Sequence, residues 1–310
     1  SKTFDKKEVV CFEGDARVSM ALLKLPFDHI FFTGSAAIGK VVMEAAAKNL
    51  TSVTLELGGK SPAIIDNTCD LKKAAEKIAW GKLVNAGQTC IAPDYVLIDE
   101  KSESEFVKHY KAAVQKMFFA NGEIDKAVYG KIINEKQFQR LSGLIKEAVD
   151  DGAKLYGDGE IDEKTLTINP TVLTAVNAEN PIMQEEIFGP ILPIIKYQSL
   201  QDAIDFVNRK DKPLALYIFS DDSGNQQKII NETSSGGTCV NDVLVHISNP
   251  NLPFGGVNSS GMGSCHGIFG FKNFSHERAV VFQSKLGMTK LIYPPYSEKM
   301  GLLKWLRKLM

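Results

Sequence analysis

The sequence shows no excess of either charge. Its 310 residues contain 36 Lys and Arg against 37 Asp and Glu, which gives a formal net charge of -1. Proteins that bind nucleic acid through the phosphate backbone need a basic surface. We therefore expect no nucleic acid among the partners of this protein.

Cysteine and histidine are too few and too scattered to form a cluster. The five cysteines are odd in number and include no C-x-x-C pair, which argues against a disulfide framework and a zinc site. The five histidines lack metal-ligand spacing, so we expect no bound metal. Reduced thiols are typical of the cytosol, and we predict a cytoplasmic protein. The cysteines are Cys11, Cys69, Cys90, Cys239 and Cys265.

Long apolar runs are also missing. No run approaches the ~18 residues that a membrane-spanning helix needs, and the first residues contain no hydrophobic signal region. With 44% apolar residues the chain can bury a large core, and its length suggests about two domains. We expect a globular protein.

The first sixty residues alternate apolar runs of strand length with helical patterns. The strands are predicted at 8–12, 29–33 and 53–57, and the helices at 15–25 and 36–49. Strands in such a βαβαβ unit are parallel, and ligands bind beyond their carboxyl ends. Thr33, Gly34 and Glu56 are predicted to lie there.

The α/β pattern continues in longer units after residue 62, and the part that follows residue 150 predicts a second α/β domain. The pattern of predicted elements changes after residue 150, and Gly, Asn and Ser residues from 248 to 263 end the domain. Helices are predicted at 71–84, 103–117, 135–149, 200–208 and 224–231. Strands are predicted at 95–98, 165–168, 191–196, 214–219 and 277–282.

Two residues carry the strongest indication of chemistry. Cys90 follows Gly87-Gln88-Thr89, and a thiol on such a turn is accessible. If a helix follows and points its amino end at the sulfur, it lowers the thiol pKa and favours a nucleophilic thiolate. Glu56 ends a strand just before two glycines, which suits a base that activates water. Taken singly, Cys90 also fits a buried apolar residue and Glu56 a strand terminus.

A glycine turn after the predicted strand 29–33 opens the next helix, the setting in which backbone N–H groups meet a phosphate. The segment Gly34-Ser35-Ala36-Ala37-Ile38-Gly39-Lys40 is close to a P-loop. However, Val41 stands where a P-loop has the Ser or Thr that holds magnesium. Ser35-Ala36 also lacks the second glycine of a dinucleotide fingerprint. Taken alone, the segment also fits a simple turn.

Four segments in order resemble the signature series of the NAD(P)-dependent aldehyde dehydrogenase superfamily. They are Phe32-Thr33-Gly34-Ser35, Glu56-Leu57-Gly58-Gly59-Lys60-Ser61-Pro62, Gly87-Gln88-Thr89-Cys90 and Glu186-Ile187-Phe188-Gly189-Pro190. The segments 251–263 and 293–296 are similar to the class 3 and fatty aldehyde dehydrogenase branch. The resemblance implies an α/β fold with a partial Rossmann-type nucleotide-binding domain (1–59), a catalytic domain (60–256), and an oligomerisation arm with a tail (257–310).

The resemblance also implies a mechanism and a cofactor, NAD or NADP. Cys90 attacks the aldehyde, the thiohemiacetal gives up hydride and becomes a thioester, and Glu56 activates the water that hydrolyses it. The Cys90 N–H is an oxyanion donor. Glu186 matches the residue that binds the nicotinamide ribose, and Phe188 the residue beside the nicotinamide. The positions that match cofactor-binding residues are Gly34, Ser35, Ile38, Gly39, Leu57, Gly58, Glu186 and Phe188.

The chain departs from the family because the N-terminal part of the family's pattern is missing. That part holds the Lys and Glu for the adenosine ribose and the Asn that is the second oxyanion donor. Removal of one oxyanion donor costs about 10²–10³ in rate. We therefore expect the isolated chain to be weakly active or inactive.

Two alternatives stay open. A CoA-acylating relative would use CoA in place of water, although Glu56 in its hydrolytic context argues against it. A truncated, non-catalytic chain would serve as an interaction subunit.

The C-terminal region predicts partners. The predicted strand 277–282 resembles the arm that pairs with a second subunit, so we expect a homodimer. Residues 300–310 form an amphipathic pattern with Leu302, Leu303, Leu306 and Leu309 near one helical face. This tail fits either a helix packed on protein or a peripheral membrane contact. The substrate is expected to be an aliphatic, fatty or aromatic aldehyde.

Overall fold

The computed structural model describes residues 3–157, 159–287, 289, 292–297 and 299–308. It divides the chain into two compact units, residues 1–274 and 275–310. The helices are α1 (Ala16–Leu22), α2 (Ala36–Ala47), α3 (Leu71–Leu83), α4 (Glu103–Phe118), α5 (Glu135–Asp150), α6 (Leu200–Asn208), α7 (Ser223–Glu232), α8 (Gly267–Asn273) and α9 (Met300–Leu306). The strands are β1 (His29–Thr33), β2 (Ser52–Glu56), β3 (Pro62–Ile65), β4 (Tyr95–Asp99), β5 (Phe119–Ala120), β6 (Glu123–Ile124), β7 (Lys154–Tyr156), β8 (Ile161–Asp162), β9 (Thr167–Ile168), β10 (Thr171–Thr174), β11 (Ile191–Tyr197), β12 (Ala215–Phe219), β13 (Gly237–Val240) and β14 (Gly261–Met262).

A seven-stranded sheet forms the centre of the first unit, in the order β13-β12-β3-β4-β11-β10-β7. Its strands are parallel except β7, which is antiparallel to β10. Ile64 is in register with Leu97 and Ile218, and all three are buried. Strands of a parallel sheet are covered on both faces, which accounts for these continuous apolar runs.

A smaller sheet has the order β1-β2-β14. β1 and β2 are parallel, and β14 joins β2 in the antiparallel direction, where Gly261 pairs with Glu56. α2 covers this sheet with a small core of Val42, Leu55 and Leu57. Residues 261–262 therefore contribute to the sheet of the predicted nucleotide-binding segment, although they lie in the predicted third segment.

Local sequence signals account for several helix starts. Ser35 caps α2, and Asn134 caps α5 by accepting a hydrogen bond from the Gln137 N–H. Ser199 and Asp202 form a capping box at α6. Such caps satisfy backbone N–H groups that have no partner within the helix. The α/β class and most of the predicted helices and strands are confirmed.

Two predicted strands are wrong. Residues 8–12 are irregular, and Val9, Val10 and Phe12 are exposed. Residues 277–282 are also without regular structure, and Val281 and Phe282 are 87% and 92% exposed. Both segments have the apolar composition of strands. A strand also needs a hydrogen-bonding partner, and within the described residues neither segment pairs with a strand.

Other differences are smaller. The strand predicted at 165–168 is reduced to Thr167–Ile168. The strands that were not predicted are short or contain Pro or Gly; they are β3, β5, β6, β7, β8, β10, β13 and β14.

The second unit contains irregular chain and α9. The predicted apolar face of the tail depends on Leu302, Leu303, Leu306 and Leu309, whose side chains lie outside the described residues. Among the described residues, no helix combines the length and the apolar character needed to cross a membrane.

Candidate active site

A cavity of about 1330 Å³ lies between the two sheets of the first unit. It is reached by the carboxyl ends of β1 and β2 and by the loops that precede β3, β4 and β11. The structure brings most of the predicted site residues together there. Those that line the cavity are Gly34, Ser35, Leu57, Gly58, Cys90, Glu186 and Phe188.

The glycine turn forms one wall of the cavity. The Gly34 N–H donates to the main-chain carbonyl of Glu56 at 3.0 Å, which ties the turn to the end of β2. The Ser35 hydroxyl accepts from the Ile38 N–H at 3.4 Å and caps α2. The amino end of this 12-residue helix therefore borders the cavity, and its dipole favours negative charge there.

Two predicted cofactor residues do not line the cavity. The Ile38 side chain is 51% exposed. Gly39 is buried, and a Cβ atom at this position would lie 2.8 Å from the Leu57 side chain. Gly39 thus allows α2 to approach β2 closely, which is a packing role.

A tight loop presents Cys90. Asn85, Ala86 and Gly87 have φ angles of 52°, 52° and 75°, so the chain passes through three successive left-handed residues. A side chain at Gly87 would collide with the Gly189 carbonyl at 2.2 Å. Only glycine allows this close approach, and it joins the Cys90 loop to the segment after Glu186.

Gln88 and Tyr217 form hydrogen bonds with the backbone on either side of Cys90. The Gln88 amide donates to the Asn85 and Lys131 carbonyls, both at 3.0 Å, and its oxygen accepts from the Ile133 N–H at 2.9 Å. On the other side of Cys90, the buried Tyr217 hydroxyl donates to the Ile91 carbonyl. These bonds fix the backbone on which the Cys90 N–H lies.

No helix follows Cys90, so the condition under which a helix would lower its thiol pKa is not met. Residues 91–94 are irregular and lead into β4. Burial raises the pKa of the Cys90 thiol to about 11, and the Glu186 and Glu56 carboxylates raise it further. Hydrogen bonds from the Cys90 and Ile91 N–H groups oppose this rise. The thiol is thus protonated at neutral pH in this state.

Glu56 lies beside the cavity at the end of β2 and is buried, with 5% of its surface exposed. Its carboxylate accepts a hydrogen bond from the Cys265 thiol, with 3.3 Å between Sγ and Oε1. Burial raises the pKa of Glu56, while the Cys265 hydrogen bond and the charge of His266 lower it. Sequence patterns do not connect Cys265 with Glu56, because the contact spans 209 positions.

Glu186 lies directly over the two glycines that follow Leu57. A Cβ atom on Gly58 would be 2.3 Å from Glu186 Oε2, so the carboxylate occupies the space that a side chain would take. Burial and the charge of Asp94 raise the pKa of Glu186 to about 7, against a hydrogen bond from the Gly59 N–H and the charges of Lys60 and Lys82. This carboxyl group therefore titrates near neutral pH.

A buried ion pair between Lys60 and Asp94 positions the Glu186 segment. Lys60 Nζ also donates to the Ile182 carbonyl at 2.8 Å and to the Glu185 carbonyl at 2.9 Å. Asp94 accepts from the Ile187 N–H at 2.8 Å. Lys60 lies in a recognised motif, but nothing in the sequence pairs it with Asp94.

Arg140 on α5 also binds the Glu186 segment through hydrogen bonds. Its guanidinium donates to the Glu185 carboxylate at 2.9 Å and to the Glu186 and Ile187 carbonyls at 3.4 and 2.6 Å. In the amphipathic pattern of α5, Arg140 has the appearance of an ordinary surface residue. Its role is visible only in the folded chain.

Phe188 and Lys82 complete the surroundings. Phe188 has a φ angle of 50° and is 37% exposed, and it lines the cavity. Lys82 is buried on α3, where burial lowers its pKa to about 8. Within the described part of the chain, Lys82 Nζ has no hydrogen-bond partner.

Across these same residues, no three His, Cys, Asp or Glu side chains are grouped to hold a metal ion.

Comparisons with known proteins assign the class to which this fold and site belong. The model of the aldehyde dehydrogenase family matches residues 6–280. The chain belongs to the aldehyde dehydrogenase family.

Particular relatives support the branch that the resemblance indicated. The dimeric NADP-preferring aldehyde dehydrogenase of Rattus norvegicus is 48% identical over 96% of this chain. The 4,4'-diaponeurosporen-aldehyde dehydrogenase of Staphylococcus aureus is 44% identical over 98% of it. A solved structure of S. aureus AldH in a substrate-bound state superimposes with a TM-score of 0.93, at 44% identity, and covers 98% of this chain and 66% of its own. The aldehyde dehydrogenase fold is thus confirmed.

The match does not extend over the whole of these relatives. The chain spans 64% of the rat protein and 65% of the S. aureus protein. The expectation that it lacks part of the family's pattern is confirmed.

Proposed function

We propose that the protein containing this chain oxidises an aldehyde to the carboxylic acid with NAD or NADP. One observation carries the proposal: Cys90 opens onto the same cavity as Glu186, Phe188 and the amino end of α2. A nucleophile and a nucleotide-binding surface thus share one space, as an oxidation through a covalent intermediate requires.

The residues around the cavity fit a nicotinamide dinucleotide. The amino end of α2, where Gly34 and Ser35 line the cavity, suits a pyrophosphate. A side chain at Gly34 would collide with the Phe32 ring, 2.5 Å from the Cβ position. Glu186 suits the nicotinamide ribose, since its ionised carboxylate accepts hydrogen bonds from hydroxyl groups. Phe188 provides an apolar face. Bound NAD(P)⁺ supplies a hydride acceptor and a positive charge.

Cys90 is the proposed nucleophile. The thiol loses its proton to solvent, the resulting thiolate sulfur bonds to the aldehyde carbon, and the carbonyl oxygen becomes an oxyanion that the Cys90 N–H stabilises. Loss of hydride from the same carbon leaves a thioester on Cys90. Because the Glu186 and Glu56 carboxylates raise the thiol pKa, a cation in the cavity favours the thiolate.

Glu56 is the proposed base for the second half of the reaction. It accepts a proton from water while the water oxygen attacks the thioester, and the Cys90 sulfur then leaves and is reprotonated. Glu56 immediately precedes the cavity residues Leu57 and Gly58, and it is close enough to raise the pKa of Cys90.

The substrate, partners and domain limits are part of the proposal. Two relatives are named for the aldehydes they act on, 4,4'-diaponeurosporen-aldehyde and coniferyl aldehyde; the proposed substrate of this protein is an aliphatic, fatty or aromatic aldehyde. We propose a cytoplasmic homodimer that pairs through 277–282, whose apolar side chains are exposed. We also propose α9 as a site of peripheral membrane contact. The segments 1–59, 60–256 and 257–310 remain the proposed nucleotide-binding, catalytic and oligomerisation parts.

The test measures NAD(P)H formation by absorbance in the protein at its natural length, with an aliphatic and an aromatic aldehyde. We expect turnover in the wild type, none in Cys90→Ala, and weak or no turnover in residues 1–310 alone. Equal steady-state rates in the wild type and Cys90→Ala would exclude the mechanism. The Cys11→Ala variant, which alters an exposed thiol, serves as the control.

A further inference from the structure

The Cys265 thiol is a hydrogen-bond donor to the Glu56 carboxylate. Sγ and Oε1 are 3.3 Å apart. Burial and the neighbouring Glu56 raise the pKa of Cys265 to about 12. The thiol therefore keeps its proton across the physiological range and can donate it to an ionised carboxylate.

The backbone fixes both ends of this contact. Glu56 pairs with Gly261 of β14 on one side and with Thr33 of β1 on the other. Cys265 forms two backbone hydrogen bonds with Phe254, of 2.7 and 3.2 Å. The two side chains therefore meet through backbone pairing and not through a mobile loop.

The surroundings contain few other charges. Three titratable groups interact with Glu56. They are Cys265 and His266 from the segment after β14 and Cys90 from the loop before β4. His266 stacks on Phe254, with 5.2 Å between the ring centroids. Among the described residues, the Cys265 thiol is the side chain that donates a hydrogen bond to Glu56.

We propose that Cys265 is a positioning residue, which orients the Glu56 carboxylate and keeps it ionised for thioester hydrolysis. This inference rests on the proposed function. In the step concerned, Glu56 takes a proton from water, the water oxygen bonds to the thioester carbon, and the bond from that carbon to the Cys90 sulfur breaks. The thiolate that leaves regains a proton, so the acid is released and the thiol restored. Cys265 is not among the residues that line the cavity.

The experiment isolates this step without any cofactor. The protein at its natural length is acylated at Cys90 with p-nitrophenyl acetate, and the burst of nitrophenolate reports acylation. Decay of the acetyl-enzyme, followed by intact mass, reports hydrolysis. The variants are Cys265→Ala and Cys265→Ser, with Cys69→Ala as the control because Cys69 is a half-buried thiol elsewhere. Thermal unfolding checks that each variant is folded.

We expect Cys265→Ala to slow hydrolysis about 10-fold, the usual effect of losing a hydrogen bond to a charged group, and to leave the burst amplitude unchanged. Since the lost bond had lowered the pKa of Glu56, the rise of the hydrolysis rate with pH moves to higher pH. Cys265→Ser should restore most of the rate, because a hydroxyl also donates. In a Glu56→Gln background, Cys265→Ala should have no further effect.

The outcomes separate this inference from the function on which it rests. If the wild type shows no burst and no acetyl-enzyme even as the pH approaches the Cys90 pKa of about 11, the proposed function and this inference both fail. If the wild type is acylated at Cys90 and the Cys265→Ala acetyl-enzyme decays at the wild-type rate, this inference alone fails. It also fails if Cys265→Ser is as slow as Cys265→Ala, since that result indicates packing.

Discussion

The carboxylate of Glu186 rests on the backbone of Gly58, in the space where any other residue would carry a Cβ atom. The two residues are 128 positions apart in the sequence, and the position of the Glu186 carboxylate depends on the missing side chain of Gly58. Gly58 leaves room for the carboxylate, and the Gly59 N–H donates to it.

Substitution Gly58→Ala should therefore impair cofactor binding more than folding. The new methyl group would lie 2.3 Å from Glu186 Oε2 and displace the carboxylate from the cavity. We expect about a 10-fold weaker affinity for NAD(P), as for one lost hydrogen bond to a charged group. Titration of the folded protein with the dinucleotide measures the effect.

Gly143→Ala is the matched control for that variant. Gly143 lies within α5, and a Cβ atom there would meet nothing within 4 Å. Alanine in a helix interior stabilises by roughly 0.5–1 kcal/mol relative to glycine. Equal affinities for NAD(P) in Gly58→Ala and Gly143→Ala would contradict the prediction.

The thiol of Cys90 should react slowly with iodoacetamide at neutral pH in the absence of cofactor. Its pKa is raised to about 11, so the thiolate fraction increases as the pH approaches that value. Glu186→Gln removes one of the charges that raise this pKa. We expect the variant to be alkylated faster than the wild type at pH 8, as measured by mass spectrometry of the Cys90 peptide.

A second carboxylate on the same cavity provides the comparison. Glu179 also lines the cavity, whereas the carboxylates that raise the Cys90 pKa are Glu186 and Glu56. Glu179→Gln should leave the alkylation rate unchanged. If both variants reacted at the wild-type rate, the assignment of Glu186 as a cause of the raised pKa would be wrong.

The Lys60–Asp94 pair should matter for stability because both side chains are almost completely buried. Lys60→Met leaves the Asp94 carboxylate without its cation, and loss of one partner of a buried pair costs about 3–5 kcal/mol. Unfolding in denaturant measures this loss. In the double variant Lys60→Met/Asp94→Leu, removal of the unpaired charge should restore part of the stability.

An exposed ion pair of the same type gives the contrast. Lys146 and Asp150 interact on α5 with side chains 77% and 61% exposed. Lys146→Met should change the free energy of unfolding by less than about 1 kcal/mol. A similar loss in Lys60→Met and Lys146→Met would show that burial of the first pair has no energetic effect.

Sequence patterns predict the elements whose information is local. Helix α5 and strand β2 are examples, because a cap and an amphipathic or β-branched run define them. Segment 8–12 shows the limit of such patterns. Its composition is that of a strand, but strand formation depends on a partner elsewhere, and a local pattern carries no information about the partner.

The site divides in the same way. Motifs identified Cys90, Glu56, Glu186 and Phe188, and the cavity brings three of them together with Glu56 beside it. Arg140 and Cys265 were missed because their roles arise from contacts 45 or more positions away. The sign of the Cys90 pKa shift was also missed, since it depends on burial and on carboxylates that only the fold brings near.

The edge position of β1 leaves one side of the smaller sheet open. Within the described residues, β1 pairs with β2 alone, so its other side presents unpaired backbone groups next to the partly exposed Phe31. Such an edge is a template for pairing with other chains. A strand laid beside β1 would satisfy these backbone groups and extend the smaller sheet.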